Sequence, residues 1–372
     1  MKVLFLTNVP SPYRVDFFNE LGKHCDLTVV FEKSTSDERD ESWKKYRIAN
    51  FQGVLLKGIS IDTDSAICFE VKKYLKPGLY DHIIVSNFLS PTGMIAITHM
   101  RKKKMEYWLE SDGGSAKDGK GLKEKLKMYF IRGAKGYFST AEEHDRYYLQ
   151  YGAEKGLLQR YPFTSLHQAD VLERPAEEAE KKSLREKLEM PEEKIVLSVG
   201  RFSYLNGYGK GYDALIRAAR QLPENIGWYI VGGAPTEEFQ KMVADTGLKN
   251  IHFVEFMEKE ALKEYYRAAD IFTLMTVGDV WGLVINEAMA CGLPVITTDK
   301  CVAGVELVEE GKNGHIVKVG DDKALADRIR EILQEPGKVE AMGKISLEAI
   351  QAYTIENMAK VHMDFFKKQI GE

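Results

Sequence analysis

The sequence predicts an α/β protein of two facing, doubly wound domains, and three observations favour this fold class. Short apolar runs typical of buried strands alternate with stretches of helical periodicity along most of the 372 residues. Such alternation indicates parallel sheets covered by helices. It breaks in a densely charged stretch, 173–193, and then restarts as a second series of similar size. The length also suits two domains.

The elements of both series are predicted from local patterns. In the first, strands are expected at Lys2–Thr7, Leu27–Phe31, Ile83–Val85, Tyr107–Leu109 and Gly136–Ser139, and helices at Arg14–Gly22, Ala66–Lys76 and Leu122–Ile131. In the second, strands are expected at Ile195–Val199, Trp228–Val231, Ile251–Phe253, Ile271–Met275, Pro294–Thr297 and Ile316–Val317. The helices of that series are expected at Glu177–Leu188, Tyr212–Gln221, Glu237–Thr246, Leu262–Ala268, Val284–Ala290, Asp322–Leu333 and Ile355–Lys368. Sheets of this kind bind ligands beyond the carboxyl ends of their strands.

The composition excludes several classes of protein. With 44% hydrophobic and 29% charged residues, the chain is neither disordered nor collagen-like. Its four cysteines form no CxxC pair, which favours a reducing, cytoplasmic location over a disulfide scaffold. The first residues become polar too early for a signal peptide. The uncharged run 83–100 contains Asn87, Pro91 and Gly93, so it is a poor membrane span.

The charge is unevenly distributed. Residues 1–160 sum to +5 and residues 161–372 to −9, and residues 101–140 hold 11 Lys or Arg against 5 Asp or Glu. The basic stretch 101–135 has two interpretations. It is either a helix with a core face and solvated lysines, or a surface that rests on anionic lipid. Nothing in it resembles a nucleic-acid-binding module, so no nucleic-acid partner is predicted.

The most informative segment runs from Asp279 to Pro294. Asp279 and Glu287 lie eight residues apart and flank Gly282 at the predicted start of a helix. Helix starts offer unpaired N–H groups and a partial positive charge, and therefore suit a phosphate group. About one turn further in, Glu287 would accept from two vicinal hydroxyls, such as those of a ribose. The alternative is an N-terminal acid and a solvated glutamate.

This segment resembles the Glu-x7-Glu motif of retaining glycosyltransferases of family four. The core Gly-Leu-x-x-x-Glu-Ala-Met-Ala-x-Gly-x-Pro-Val, which begins at Gly282, matches that motif, while the first acid is Asp279 instead of the usual glutamate. The resemblance implies the GT-B fold: two facing, doubly wound Rossmann-like domains with a C-terminal helix crossing back to the first. It implies an acceptor-side domain over 1–168, on which 355–372 pack back, and a nucleotide-sugar domain over 185–352.

A second segment, from Val199 to Gly211, is similar to the family's Gly-Arg…Lys-Gly element. It contains Gly200, Arg201 and Lys210. An arginine and a lysine placed together can stabilise a diphosphate leaving group as its negative charge grows, without a metal ion. Looser matches occur at Ile230–Gly233, Tyr265–Met275, Asn8–Arg14 and Tyr353–Ala359.

The corresponding site of the first domain departs from the family. Many members have a histidine after a central strand, whereas Tyr107–Gly114 contains none. Glu110 or Asp112 is predicted instead to orient the acceptor hydroxyl or to accept its proton, since a loop after a parallel strand opens into the crevice. The alternative is a loop that needs only its Gly-Gly pair.

Other motifs carry less weight. Asp62-Thr63-Asp64 matches a metal-binding Asp-x-Asp signature, but helix capping explains it better. The histidines have no zinc-like spacing, so no metal site is predicted. A dinucleotide-binding glycine motif would follow the first strand, and no glycine occurs before Gly22.

The resemblance therefore implies a metal-independent retaining glycosyltransferase. It would move a sugar from a nucleoside-diphosphate sugar, with UDP-sugar favoured, to a saccharide or lipid-linked hydroxyl acceptor, and it would need no cofactor. The predicted location is cytoplasmic, at the inner face of the membrane if the basic stretch binds lipid. The predicted catalytic residues are Arg201, Lys210, Asp279, Glu287, Glu110 and Asp112. The predicted donor-binding residues are Gly200, Arg201, Lys210, Gly282, Leu283, Val284 and Glu287. The alternatives are a GT-B nucleotide-sugar epimerase and a non-catalytic sugar-nucleotide-binding subunit.

Overall fold

A computed structural model describes residues 1–34, 46–114 and 121–370. The chain forms two compact units: Met1–Ser165 with Tyr353–Glu372, and Leu166–Ala352. Each unit contains one large parallel sheet and the helices that flank it. No helix in the described part of the chain is long and apolar enough to cross a membrane.

Among the described residues, the main sheet of the first unit has seven parallel strands. The strands of the unit are β1 (Lys2–Thr7), β2 (Asp26–Phe31), β3 (Gln52–Leu55), β4 (Ile59–Ser60), β5 (Ala66–Ile67), β6 (His82–Val85), β7 (Trp108–Glu110), β8 (Tyr137–Ser139) and β9 (Leu158–Arg160). The sheet order is β3-β2-β1-β6-β7-β8-β9, and β4 and β5 form a separate antiparallel pair. The helices are α1 (Pro12–Leu21), α2 (Pro91–Lys102), α3 (Leu122–Ile131) and α4 (Glu142–Gln150).

The second unit is built on six parallel strands. It begins with α5 (Glu178–Lys187), and its strands are β10 (Lys194–Val199), β11 (Ile226–Val231), β12 (Ile251–Val254), β13 (Ile271–Leu274), β14 (Val295–Thr298) and β15 (Gly314–Val317). The sheet order is β12-β11-β10-β13-β14-β15. The remaining helices are α6 (Tyr212–Ala219), α7 (Glu237–Thr246), α8 (Lys259–Ala268), α9 (Leu283–Ala290), α10 (Val302–Leu307), α11 (Asp322–Gln334) and α12 (Lys338–Ile350).

The central strands are apolar throughout because both of their faces are covered. In β1, Leu4 lies opposite Thr28 of β2 and Ile83 of β6, and every residue after Lys2 is buried. The six residues of β11 are all buried as well. Strands covered on both faces read as continuous apolar runs, and this is why the apolar runs predicted these strands.

The last helix, α13 (Ile355–Ile370), belongs to the first unit and packs against α1. Its buried His362 stacks on Phe138 of β8, with ring centroids 4.3 Å apart. Phe366 stacks on His82 of β6 at 4.8 Å. Burial lowers the pKa of His362 to about 4. The imidazole is therefore neutral at pH 7 and contributes as an aromatic core residue.

The helix predicted at Ala66–Lys76 is wrong. Residues 66–67 form β5, and Phe69–Lys73 form a short 3-10 turn. The hydroxyl of Thr92, in the first turn of α2, donates to the Ala66 carbonyl oxygen at 2.6 Å and accepts from the Cys68 N–H at 2.9 Å. These long-range bonds hold the segment extended, and local periodicity does not report them.

The helix cap predicted at Asp62 is also wrong. Its carboxylate accepts from the backbone N–H groups of Asp64 and Ser65, at 2.9 and 2.7 Å, and so closes the turn between β4 and β5. These hydrogen bonds lower the pKa of Asp62. The Asp-x-Asp sequence is thus part of a turn.

A buried charge cluster attaches α5 to the second sheet. Lys181 and Arg185 of α5 donate to the Asp270 carboxylate at 2.9 and 2.8 Å, and Asp270 also accepts from the Ile195 N–H at 2.8 Å. Burial alone would raise the pKa of Asp270, but the two cations outweigh it and lower that pKa. The charged stretch after residue 173 therefore includes an anchored helix of the second unit.

Candidate functional site

The strand order of the second unit creates a switch point between β10 and β13. The two strands are neighbours, but the chain continues from β10 to one side of the sheet and from β13 to the other. The loops that follow them therefore diverge at the carboxyl ends, where open α/β sheets bind ligands. These loops, 200–211 and 275–282, contain the two motifs singled out in the sequence.

The two loops are packed tightly against each other. The Gly209 carbonyl oxygen accepts from the Val277 N–H at 3.1 Å and from the Thr276 hydroxyl at 2.9 Å. Gly211 has a φ of 70°, and a Cβ there would lie 2.0 Å from the Met275 carbonyl oxygen. Only glycine allows this close approach with this backbone conformation. The second glycine of the Lys-Gly element therefore brings the loops together.

The contact between the loops includes an ion pair. Lys210 Nζ donates to Asp279 Oδ2 at 2.6 Å, and the two side chains are 17% and 20% exposed. The pair is thus partly shielded from water but still reached by solvent. Arg201 belongs to the same loop as Lys210 and is exposed. The Gly200 carbonyl oxygen, at the start of that loop, accepts from the Tyr212 hydroxyl.

Helix α9 begins directly after the second loop. Its N-cap, Gly282, has a φ of 101°, and a Cβ there would lie 2.8 Å from Cys301 Sγ. Leu283 and Val284 form the start of the first turn, where backbone N–H groups have no partner inside the helix. This end of α9 is electropositive. It follows Asp279 by only a few residues.

Glu287 lies one turn further along α9 and is half-buried. Its carboxylate accepts from the Tyr266 hydroxyl of α8 at 3.0 Å. Burial, followed by the charge of Glu287, raises the pKa of Tyr266 well above its usual range, so Tyr266 remains a donor. Glu287 also lines a cavity of about 20 Å³ with Leu166 and Leu262, which is room for about one water molecule.

In the first unit, the carboxyl ends of β1, β6 and β7 meet at a buried ion pair. Arg14, at the start of α1, donates to Glu110 Oε1 at 2.5 Å and to the Ser86 hydroxyl at 3.1 Å. The Tyr161 hydroxyl donates to the same Glu110 oxygen at 3.0 Å. Burial would raise the pKa of Glu110, but the charge and hydrogen bond of Arg14 outweigh it and lower that pKa. Glu110 is fully buried and ionised.

Asp112 differs from Glu110 in its exposure. The side chain of Asp112 is 38% exposed, and its Oδ1 lies 3.8 Å from a guanidinium nitrogen of Arg14. Its Oδ2 accepts from the Tyr13 hydroxyl at 3.4 Å. Of the two acids predicted to act on an acceptor, Asp112 alone is reached by solvent. Because Glu110 is buried against Arg14, its position suits a role in orienting Arg14. The catalytic role predicted for Glu110 stays a prediction.

Glu32 is a second buried acid of this unit. It follows β2 and is 2% exposed. The Ser90 hydroxyl donates to Glu32 Oε1 at 2.6 Å, and the Ala66 N–H donates to Oε2 at 3.3 Å. Burial raises the pKa of Glu32 to about 7 despite these hydrogen bonds.

We expect Glu32→Gln to have little effect on stability at pH 5 and to raise the free energy of unfolding at pH 8 by up to about 3 kcal/mol. The folded protein keeps the Glu32 proton to about pH 7, whereas the unfolded chain loses it near 4.5. The wild type therefore loses stability as the pH rises between these values, and glutamine does not titrate. Urea unfolding from pH 5 to 8 measures the difference. Equal pH slopes for both proteins would contradict this assignment.

Comparison with known proteins finds a family model that matches most of the second unit. Residues 180–348 match the family model described as Glycosyl transferases group 1. That range includes both loops of the switch point, the Lys210–Asp279 pair and α9. We refer to the second unit, most of which this match covers, as the group 1 domain.

Curated relatives match mainly through part of their length. The chain is 29% identical over 200 residues to a D-inositol 3-phosphate glycosyltransferase of Xylanimonas cellulosilytica, covering 52% of this chain and 46% of that protein. It is 35% identical over 146 residues to a GDP-mannose-dependent alpha-(1-6)-phosphatidylinositol monomannoside mannosyltransferase of Mycolicibacterium smegmatis, covering 36% and 38%. The chain thus spans about half the length of such relatives, or less.

Solved structures match along the whole chain. Sucrose-phosphate synthase from Thermosynechococcus elongatus gives a TM-score of 0.77 at 20% identity, covering 100% of this chain and 99% of that chain. Anabaena HepE in complex with UDP gives 0.79 at 17% identity, covering 100% of both chains. The chain has the GT-B fold, as the sequence predicted.

The predicted donor residues lie in different parts of the group 1 domain. Lys210 and Asp279 are in direct contact although 69 residues separate them. The residues that lie in the two switch-point loops or in the first turn of α9 are Gly200, Arg201, Lys210, Asp279, Gly282, Leu283 and Val284. Glu287 lies deeper along α9, beside Tyr266. Their roles toward a donor remain predictions.

Two residues that contact predicted site residues were not themselves predicted from the sequence. Tyr204 contacts Lys210, and Arg14 forms an ion pair with Glu110. Arg14 could have been found, because a carboxylate at the end of a buried strand needs a cation or several donors. No local signal distinguished Tyr204 from the other tyrosines.

Proposed function

We propose that this chain is a retaining glycosyltransferase that moves a sugar from a nucleoside-diphosphate sugar to a hydroxyl group. One observation carries the proposal. In the group 1 domain, a lysine and an acid from two distant motifs form a pair at the switch point, directly before the electropositive end of α9. Such a place suits a diphosphate and the sugar attached to it. The retaining outcome rests on the resemblance of the Asp279–Glu287 segment to the family motif.

The diphosphate would be bound by positive charge that the chain itself supplies. Lys210 and Arg201 would carry the charges, and the N–H groups of Leu283 and Val284 would donate to phosphate oxygens. Negative charge on the diphosphate grows as the bond to the sugar breaks, so these contacts strengthen toward the transition state. This arrangement would make the reaction independent of a metal ion.

The two acids would contact opposite ends of the donor. Glu287 would accept from the ribose hydroxyls, and Tyr266 would hold its carboxylate in place. Asp279 would face the sugar, where positive character develops during bond cleavage. Donor binding would give Lys210 a phosphate oxygen as a second partner, which would compete with Asp279 for its protons.

The first unit would bind the acceptor. Asp112, which solvent reaches, would orient the acceptor hydroxyl or accept its proton. Arg14 and Tyr13 would fix the position of Asp112, and Glu110 would in turn hold Arg14. UDP-sugars are the favoured donors, since the similar Anabaena protein HepE has been solved with UDP and with UDP-glucose. The name of the mycobacterial relative makes GDP-mannose and lipid-linked acceptors the next to try.

The test uses the full chain with a panel of nucleotides. UDP, GDP and ADP are compared by thermal shift, because a ligand at 100 times its Kd adds about 2.7 kcal/mol to stability. The matching nucleotide sugars are then assayed for release of nucleoside diphosphate, with and without EDTA. Sugar release with the donor's anomeric configuration retained supports the proposal. An isomerised donor indicates an epimerase, and nucleotide binding without turnover indicates a binding subunit.

We also propose that the protein acts at the inner face of a membrane, which it contacts through a surface of the first unit. On α3, Leu122, Leu126 and Tyr129 are 84%, 42% and 46% exposed. Their spacing places them in one stripe along the helix, whereas Phe130 and Ile131 provide its buried contacts. The apolar stripe is therefore not part of the buried face of α3.

Lysines flank this apolar stripe. Lys123 and Lys125 on α3 and Lys102 at the end of α2 are exposed. Arg101 connects the two helices, because its guanidinium donates to the Tyr129 carbonyl oxygen. Lys127 instead lies 4.8 Å from the Tyr151 ring centroid, and residues 115–120 of the predicted 101–135 surface lie outside the described residues. Apolar side chains between lysines suit a helix in an anionic lipid interface.

We expect Lys123→Gln with Lys125→Gln to weaken binding to phosphatidylglycerol-containing liposomes by roughly 30-fold at low salt, at about 1 kcal/mol for each lysine. Co-sedimentation measures the change, and the wild type should lose binding as salt rises. Lys241→Gln with Lys249→Gln, which changes the charge equally in the second unit, is the control. Failure of the wild type to bind these liposomes at low salt would show that the surface is only solvated.

A further inference from the structure

The loop after β10 contains a backbone conformation that side chains rarely adopt. Leu205 and Asn206 have φ values of 48° and 53°, and Gly207 follows with 93°. A left-handed conformation is costly for residues with a Cβ, especially for leucine, which has no polar group to compensate it. Leu205 is also 59% exposed, so little hydrophobic burial of its side chain offsets the conformational free-energy cost. Such strain is typical of functional loops.

The left-handed turn reverses the chain and folds Tyr204 back onto the end of its own loop. A Cβ on Gly209 would lie 2.2 Å from Tyr204 Cδ1, so the ring rests directly on the Gly209 backbone. The Tyr204 hydroxyl donates to the Gly278 carbonyl oxygen at 3.3 Å. Tyr204 therefore touches both switch-point loops. It contacts the residue before Lys210 and the residue before Asp279.

The same ring also faces the charged pair. Lys210 Nζ lies 5.6 Å from the Tyr204 ring centroid and 2.6 Å from Asp279 Oδ2. A cation at this distance from an aromatic face is attracted by the electrons of the ring. The ammonium group of Lys210 is thus held by a ring and a carboxylate, in a flexible side chain that otherwise has many rotamers.

We propose that Tyr204 is a positioning residue for Lys210, held against it by the left-handed turn at Leu205–Gly207. The inference rests on the proposed function, because it concerns how Lys210 is presented to the donor diphosphate. Tyr204 acts through Lys210 and through the contact between the two loops. The strained turn keeps the ring in place and so limits the rotamers of Lys210 before a donor binds.

A double-mutant cycle tests the action through Lys210. Tyr204→Leu removes the ring, Lys210→Met removes the charge, and both are combined. Turnover is measured as nucleoside-diphosphate release from UDP-glucose, or from GDP-mannose or ADP-glucose if the wild type prefers it. Tyr204→Leu is expected to lower kcat about tenfold in the wild type and less than twofold in the Lys210→Met protein. Tyr204→Phe should keep most of the activity, since it keeps the ring.

A second pair of variants tests the turn. Leu205→Gly should keep or raise Tm, because glycine adopts the left-handed conformation freely, and should lower kcat severalfold by loosening Tyr204. Glu189→Gly is the matched control, since Glu189 is an exposed residue with a φ of 55° at the end of α5. It should change Tm similarly and leave kcat unchanged.

The outcomes separate this inference from the proposed function. If the wild type turns over a donor and Tyr204→Leu lowers kcat as much in the Lys210→Met protein as in the wild type, the inference is wrong and the function stands. The same holds if Leu205→Gly is as active as the wild type. If the wild type neither binds these nucleotides nor turns over these donors, the proposed function and this inference both fail.

Discussion

Replacing Lys210 with methionine is expected to lower kcat by about 10²–10³, the usual cost of losing one contact that stabilises transition-state charge. Methionine keeps the unbranched shape of the side chain and removes its charge. Asp279 would lose its partner at 2.6 Å, but its carboxylate is still reached by water, so the fold should tolerate the change. Steady-state release of nucleoside diphosphate measures kcat, and circular dichroism checks the fold.

The matched control is Lys241→Met. Lys241 is an exposed lysine of α7 in the same unit, so this variant changes the net charge equally without touching the switch point. It should retain wild-type kcat. If kcat of the Lys210→Met protein were within a few-fold of the wild-type value, Lys210 would not be the residue that stabilises the diphosphate. Retention of wild-type activity in EDTA is expected of the same assignment.

Asp279→Asn and Glu287→Gln are expected to affect different steps. Glu287→Gln should weaken binding of the free nucleoside diphosphate, because a carboxylate that accepts from two ribose hydroxyls makes bonds worth about 1.5–3 kcal/mol each. The free nucleotide and the full donor should lose affinity alike. Glutamine keeps an oxygen that accepts from the Tyr266 hydroxyl, so the local structure should survive.

Asp279→Asn should instead lower kcat by about 10²-fold or more with little loss of nucleoside-diphosphate affinity. Asparagine can still accept from Lys210 but cannot stabilise the positive character of the sugar. Calorimetric titration with the nucleoside diphosphate, beside kinetics with the full donor, separates the two variants. Loss of nucleotide affinity in Asp279→Asn but not in Glu287→Gln would show that the donor lies the other way round. Asp279→Glu, which introduces the first acid of the Glu-x7-Glu motif that this segment resembles, reports whether the shorter side chain is fitted to this donor.

Much of the fold could be predicted because its elements are encoded locally. The helices predicted at Leu122–Ile131 and Glu237–Thr246 have the same bounds in the structure, as does the first strand, Lys2–Thr7. Apolar runs mark strands that are buried on both faces, and amphipathic periodicity marks helices with one covered face. Prediction failed at Ala66–Lys76, where bonds to a distant threonine, Thr92, override the local pattern.

The sequence by itself determined the type and order of most of the elements predicted from it, the fold class and the two motif loops of the group 1 domain. Tertiary structure alone decided which side chains meet. It paired Lys210 with Asp279 and Arg14 with Glu110, across 69 and 96 positions, and it buried Glu110 while leaving Leu122 exposed. The physical reason is that a parallel sheet gathers the carboxyl ends of its strands at one edge, and strand order decides which ends are neighbours. Local periodicity predicts the strands but not their order in the sheet. The partners and the burial of these charged side chains therefore could not be predicted from local patterns.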